Sequence, residues 1–125
     1  MTTLRPSRNT FERLATEDPE ALVEMLRGLH DQPGLLTHGA EIAGERLPGD
    51  LAVPLLLGLL ERDSALVREG AVLGLAYHPT PAVQERLKRL LDEDSSPGVR
   101  ETVEDVFYLL ELDEAELAYE DGGLP

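Results

Sequence analysis

Apolar residues recur along this chain with the spacing of one helix face, and the pattern itself repeats. Counting from three possible helix starts, positions i, i+4, i+7 and i+8 are apolar or small in each case. These positions are Ala21, Met25, Gly28 and Leu29, then Ala52, Leu56, Leu59 and Leu60, then Val83, Leu87, Leu90 and Leu91. Each set lies 31 residues after the previous one, so the sequence predicts three repeated units that each begin with a helix.

A second helix follows the first in every unit. Its apolar positions are Leu36, Ala40, Ala43, Gly44 and Leu47 in the first unit, Val67, Ala71, Gly74, Leu75 and His78 in the second, and Val99, Val103, Val106, Phe107 and Leu110 in the third. The step is 31 residues and then 32, because one residue is inserted in the turn at 94–98. We therefore predict helical pairs at about 19–30 with 35–47, 50–62 with 65–77, and 81–93 with 97–112, after a short helix near 10–15.

Two of the predicted first helices share a start signal. Asp18-Pro19 and Thr80-Pro81 each place a residue that can cap a helix before a proline at the first helical position. The two signals lie 62 residues apart, which is twice the repeat step. No strand pattern competes with this interpretation, so the sequence predicts an all-α fold.

Two segments of the chain have the pattern of a known helical repeat. Segments 59–71 (LLERDSALVREGA) and 90–101 (LLDEDSSPGVRE) combine a leucine-rich first helix, an Asp in the turn and Val-Arg early in the second helix. In this they resemble the HEAT repeat, including its subgroup found in phycobilin lyases. The resemblance covers residues 19 to about 112, and the first unit departs from it because Thr37 occupies the Arg position.

The resemblance implies a right-handed α-α superhelix of about three helical pairs with terminal capping helices. It also implies that the second helices line the concave side. Between the repeats it implies a structural ladder made by Asp63, Arg68, Asp94 and Arg100. The residue types suit such a role, because Asp63 or Ser64 can cap the following helix and the Arg68 guanidinium can donate several hydrogen bonds.

On this basis we expect the whole chain, residues 1–125, to be a single HEAT-like domain. Residues 1–18 are assigned to an N-terminal cap, and residues 113–125 to an acidic C-terminal cap and tail. The three repeats between them cover residues 19–48, 49–79 and 80–112.

The charge of the chain narrows the classes of partner. Twenty-five Asp and Glu residues against eleven Lys and Arg residues give a formal net charge of -14, which repels nucleic acids and anionic membranes. The start of the chain lacks the apolar stretch of a signal peptide, and no later stretch is long enough to span a bilayer. We therefore expect a cytoplasmic protein that binds neither nucleic acid nor membrane, with a basic or mixed-charge protein as partner.

Catalytic signals are missing from the sequence. There is no Cys, no HExxH motif, no Gly-x-Ser-x-Gly elbow and no phosphate loop or dinucleotide fingerprint. We predict no enzymatic activity, no metal and no cofactor. His78 is expected to be a partly buried packing residue with one ring nitrogen bonded to the backbone, whereas His38 is expected to face solvent. Gly70 and Gly74 predict that another helix approaches this helix closely.

The candidate partner-binding surface consists of second-helix positions turned away from the apolar stripe. They are His38, Glu41, Glu45, Glu69, Val72, Ala76, Glu101, Glu104, Asp105 and Tyr108. Val72, Ala76 and Tyr108 would form a small apolar centre, and the carboxylates would surround it, which is the arrangement of many interfaces. The alternative is that these carboxylates form an ordinary solvated helix face.

The leading functional hypothesis is a scaffold or adaptor that holds a basic or mixed partner on an acidic concave face. A toxin-neutralising inhibitor of a basic effector is one specific version. The resemblance to phycobilin lyases implies an alternative, a lyase-like or chromophore-handling subunit. We expect the chain to be a monomer or to self-associate weakly, because the end faces of a short array of repeats can stack on one another.

Overall fold

The computed structural model describes the backbone of residues 7–122 and the side chains of residues 7–111. Within these residues the chain is helical and contains no strand, which confirms the predicted all-α class. The helices are α1 (Arg8–Glu17), α2 (Pro19–Gly28), α3 (Pro33–Arg46), α4 (Gly49–Leu59), α5 (Ala65–Leu75), α6 (Pro81–Glu93) and α7 (Pro97–Gly122). None of the helices in the described part of the chain is both long and apolar enough to cross a membrane.

The predicted start signals cap their helices. The Asp18 carboxylate accepts a hydrogen bond from the backbone N–H of Ala21, and the Thr80 hydroxyl accepts one from Val83. Each of these bonds satisfies an N–H group that has no partner inside its helix. At the start of α5 the cap is the Ser64 hydroxyl.

The last helix is longer than predicted. α7 continues from Pro97 to Gly122 and so crosses the boundary expected between residues 112 and 113. The side chains of the predicted acidic cap and tail, and residues 1–6 of the predicted N-terminal cap, lie outside the described residues. In the described backbone, the third repeat and the start of the C-terminal segment therefore belong to one helix.

The second helices of the three units lie side by side. α3 contacts α1 on one side and α5 on the other, and α5 in turn contacts α7, so the row is α1, α3, α5, α7. The first helices pack against this row, since α2 contacts α3, α4 contacts α5, and α6 contacts α7. α5 therefore lies between α3 and α7, with α4 packed against it, and is the most enclosed second helix.

The core follows the repeat found in the sequence. Equivalent positions of the three second helices are buried together: Leu36, Val67 and Val99 are at most 2% exposed. One turn later, Ala40, Ala71 and Val103 are all fully buried. Burial of these aliphatic side chains between adjacent helices is the main source of stability expected for such a unit.

Glycines allow α3 and α5 to approach until their backbones touch. A Cβ atom at Gly74 would lie 2.6 Å from the Ala40 carbonyl oxygen, and one at Gly44 would overlap the backbone of Gly74. At Gly70 a Cβ would lie 2.9 Å from Cα of Thr37. These distances confirm the close helix approach predicted from Gly70 and Gly74, and they extend it to Gly44.

We expect Gly74→Ala to lower the free energy of unfolding by about 2 kcal/mol, because the added methyl group forces α3 and α5 apart. Gly58 provides a matched control, since it also lies in a helix but a Cβ there meets nothing within 4 Å. Gly58→Ala should stabilise the chain by about 0.5 to 1 kcal/mol through helix propensity. Urea denaturation followed by circular dichroism measures both, and equal changes would contradict the close approach.

Candidate binding groove

A groove runs between the second helices on one side of the row. Its volume is about 540 Å³. It is lined by Arg8 of α1, by His38, Glu41, Ile42 and Glu45 of α3, by Leu73, Ala76 and Tyr77 at the end of α5, and by Val106, Leu109 and Leu110 of α7. Because α5 lies between α3 and α7, α5 forms the floor of this groove and the other two helices form its walls.

The α3 wall carries the acidic groups of the groove. Glu41 and Glu45 are one helical turn apart, so their side chains lie on the same face and repel each other. Glu45 also lies in the last turn of α3, where the helix dipole disfavours a carboxylate. Among the described side chains neither residue forms an ion pair. Their placement does not stabilise α3, and it leaves both carboxylates available to an external cation.

The floor and the α7 wall carry large apolar side chains that reach solvent. Leu73, Tyr77 and Leu109 are 37%, 56% and 58% exposed, respectively. Of the large hydrophobic residues exposed in the described part of the chain, only Leu66 and Tyr108 lie outside the groove. Single exposed apolar residues are common on protein surfaces, but a cluster beside polar groups is typical of an interaction site.

Four of the residues predicted from the sequence line this groove: His38, Glu41, Glu45 and Ala76. His38 is exposed, as predicted.

Val72 was expected at the apolar centre of the surface, and that prediction is wrong, because Val72 is completely buried. α5 is covered by α3, α4 and α7, so its buried face is wider than the stripe seen in the repeat.

The other predicted surface residues lie outside the groove. Glu101, Glu104, Asp105 and Tyr108 are exposed on α7 but do not line it, and neither does the half-buried Glu69. The groove is lined by positions 38–45 of α3, 73–77 of α5 and 106–110 of α7. By the repeat alignment, the α5 and α7 positions come about one turn later than those of α3. The groove therefore does not run through equivalent positions of the three second helices, which a sequence repeat does not reveal.

Leu73, Tyr77 and Leu109 were missed by the sequence analysis. Each is a large apolar residue outside the repeating buried stripe. An apolar residue at such a position is the sequence signal that could have identified an exposed binding residue. The repeat alignment assigned Val72, and not its neighbour Leu73, to the exposed surface. Only the packing of α5 against three helices decides that Val72 faces inward and Leu73 faces the groove.

The predicted ladder joins the second and third units. The Arg68 guanidinium donates two hydrogen bonds to the Asp94 carboxylate, from Nε at 2.9 Å and from Nη2 at 3.0 Å. Its Nη1 donates to the backbone carbonyls of Arg62 and Asp63, and Nη1 of Arg100 donates to the carbonyl of Asp94. The side chain of Arg68 is 12% exposed and that of Asp94 is 5% exposed, so water weakens the pair little.

One member of the ladder differs from its predicted role. Asp63 is exposed and accepts the bond from Arg68 through its backbone carbonyl, so its carboxylate is not part of the ladder. The helix that follows is capped by Ser64 instead. The ladder is thus built from Arg68, the carboxylate of Asp94 and Arg100.

A different contact joins the first and second units, where the Arg position is Thr37. The guanidinium of Arg62 donates to the backbone carbonyls of Leu29 and Arg27, at 2.8 and 2.9 Å. The Thr37 hydroxyl donates to the Leu66 carbonyl at 2.9 Å. Arg62 carries no signal of this role in the sequence, because its partners are backbone groups 33 and 35 residues away.

His78 occupies the packing position expected for it. It is half-buried, and its Nε2 lies 2.8 Å from the Gly44 carbonyl oxygen, which confirms the predicted bond between one ring nitrogen and the backbone. The bond makes Nε2 a donor, since a carbonyl can only accept. Within residues 7–111 no group of three or more His, Asp or Glu side chains is arranged to hold a metal ion.

The ladder shifts the pKa of the Asp94 carboxyl. Burial raises this pKa, but the hydrogen bonds from the Arg68 guanidinium and the Ser96 N–H lower it, as do the charges of Arg68 and Arg100. The net result is a pKa below the usual value, so the ionised carboxylate is the form that the fold stabilises.

Comparison of the chain with protein-family models, with curated proteins and with solved structures found no match. The geometry of the groove and the charges of its residues therefore carry the functional argument.

We expect Asp94→Asn to lower the free energy of unfolding near neutral pH by about 2 to 3 kcal/mol, because the Arg68 charge stays buried without its partner. The folded-state pKa of Asp94 is lowered, so its contribution is fully present above the ordinary aspartate pKa of about 4 and is lost as the pH falls below it. Urea denaturation at a series of pH values measures the difference between the variant and the wild type.

Asp92→Asn is the control for this experiment, since Asp92 is exposed in the last turn of α6, two residues before Asp94, and forms no ion pair among the described side chains. A difference between Asp94→Asn and the wild type that stayed constant down to acid pH would contradict the assigned role of the carboxylate.

Proposed function

We propose that this chain is a non-enzymatic binding module that holds a protein partner of basic or mixed charge in the groove of α3, α5 and α7. The observation that carries the proposal is the exposure of Leu73, Tyr77 and Leu109 together, beside Glu41 and Glu45. An adaptor and an inhibitor of a basic effector are both forms of this function.

The two types of group in the groove contribute differently to binding. Removing the apolar side chains from water supplies affinity, and tyrosine is among the residues that most often contribute strongly to interfaces. The carboxylates select the sign of the partner's charge and orient it. The net charge of -14 attracts a basic partner over a longer range, so association should slow as salt is added.

The proposal includes a HEAT-like architecture in which the groove is the concave side of a right-handed superhelix. Two features support it: the second helices form a continuous row, and three of them line the same groove. The arginines that tie one unit to the next also suit a repeat array, in which each unit is stabilised by its neighbours.

Affinity capture from cells that express the protein tests the proposal when it is combined with variants of the groove. Leu73→Ser with Tyr77→Ser removes the exposed apolar groups, and Glu41→Lys with Glu45→Lys reverses the acidic wall. We expect each double variant to weaken binding of the purified partner by about tenfold or more. Isothermal titration of the captured protein, after its purification, measures the affinity.

Glu101→Lys with Glu104→Lys is the matched control, because it changes the net charge equally at exposed positions outside the groove. It should leave the affinity nearly unchanged at physiological salt. If the control weakened binding as much as the groove variants did, general charge attraction would explain capture and the groove would have no specific role.

A further inference from the structure

The two sides of the groove differ in chemistry along its whole length. The α3 wall presents His38, Glu41 and Glu45, next to the nearly buried Ile42 and to Arg8 of α1, whose guanidinium pairs with Glu12. The α7 wall presents Leu109 and Leu110 over the buried Val106. The floor between them is Leu73, Ala76 and Tyr77. A ligand that fills this groove meets carboxylates along one side and apolar groups along the other. It must therefore be amphipathic lengthwise, with cations on one edge and apolar groups on the opposite edge.

The backbone of the groove walls limits the conformation of such a ligand. Both walls and most of the floor are helical, and backbone N–H and C=O groups within a helix are bonded to each other. An extended peptide lying here would leave many of its own backbone groups without partners over an apolar floor, at a cost in free energy. A helix satisfies its own backbone groups and avoids that cost.

The spacing of the groove residues matches that of a helical ligand. Glu41 and Glu45 are four residues apart on α3, as are Leu73 and Tyr77 along α5 and its end. On a helix, side chains four residues apart are separated by one turn and lie on the same face. A ligand helix lying along the groove can therefore place its own side chains, four residues apart, opposite these pairs of groove residues.

We propose that the groove receives one amphipathic α-helix of the partner, an inference that rests on the proposed function. Lys or Arg side chains one turn apart on this helix face Glu41 and Glu45. Its apolar face lies on Leu73, Tyr77 and Leu109. The C-terminal end of α5, which reaches its cap at Ala76 beside the floor, adds a partial negative charge that favours the same basic helix.

Binding of synthetic peptides to the full chain tests this inference. The probe is a fluorescently labelled peptide of about 18 residues made from Leu, Ala and Lys, with the lysines one turn apart on one side of its apolar face. Three companions have the same length: one with Glu in place of Lys, one with the order of residues scrambled, and one with a central proline. Fluorescence anisotropy at physiological salt measures the affinity, and amide chemical shifts locate the site.

We expect the amphipathic basic peptide to bind and to shift the amide signals of Leu73, Tyr77 and Leu109. The central proline should weaken binding by about tenfold or more, because it breaks the helix, and so should Glu41→Lys with Glu45→Lys. Glu101→Lys with Glu104→Lys, which changes the net charge by the same amount, should alter the affinity by less than about twofold.

Equal affinity of the basic, scrambled and proline peptides would overturn the inference, because a negatively charged surface attracts any cationic chain. Concentration-dependent self-association that Leu73→Ser with Tyr77→Ser abolishes would also overturn it, by showing that a second copy fills the groove. If no peptide bound while the captured partner still required the groove, the helical ligand would be wrong and the proposed function would remain.

Discussion

The contact between α3 and α5 sets the geometry of this molecule. Gly44 and Gly74 let the two backbones approach to a distance that excludes any side chain between them. At that distance the Thr37 hydroxyl reaches the Leu66 carbonyl, and the His78 ring reaches the Gly44 carbonyl. Glycine in a helix interior lowers stability, so the packing of α3 against α5 must stabilise the fold by more than these glycines destabilise it. The narrow separation also fixes how far apart the acidic wall and the apolar floor of the groove lie.

Arginine side chains bind backbone carbonyl groups at the ends of the first helices or in the turns that follow them. Arg62 does this after α2, Arg68 after α4 and Arg100 after α6. Carbonyls at the end of a helix have no partner within it, so each guanidinium supplies donors where they are needed. The bonds of Arg62 join the second unit to the first, whereas the bonds of Arg68 and Arg100 to carbonyls lie within their own units. Among the described side chains, Arg68 is the one of these three that also binds a carboxylate, that of Asp94, so the joint between the second and third units depends on pH.

The groove and the joints use charge in opposite ways. At the joint, the Asp94 carboxylate is nearly buried and fully paired, so its charge stabilises the fold. In the groove, Glu41 and Glu45 repel each other, and the nearby Leu73 and Tyr77 are exposed to water. These groove residues contribute little to the stability of the folded chain. An amphipathic partner would reduce both the repulsion between the carboxylates and the exposure of the apolar side chains to water.

The sequence by itself determined the helices, their repeat and the buried face of each unit. Leu36, Val67 and Val99 are buried together because helical periodicity is a local property that the order of residues records. It also indicated the close approach at Gly70 and Gly74, since glycine destabilises a helix interior and is expected there where another helix packs closely. Tertiary structure alone decided which neighbours on α5 face inward, so that Val72 is buried while Leu73 and Tyr77 line the groove. It also decided the course of the groove across the second helices and the bond from Arg62 to α2, because both depend on contacts between residues far apart in the chain.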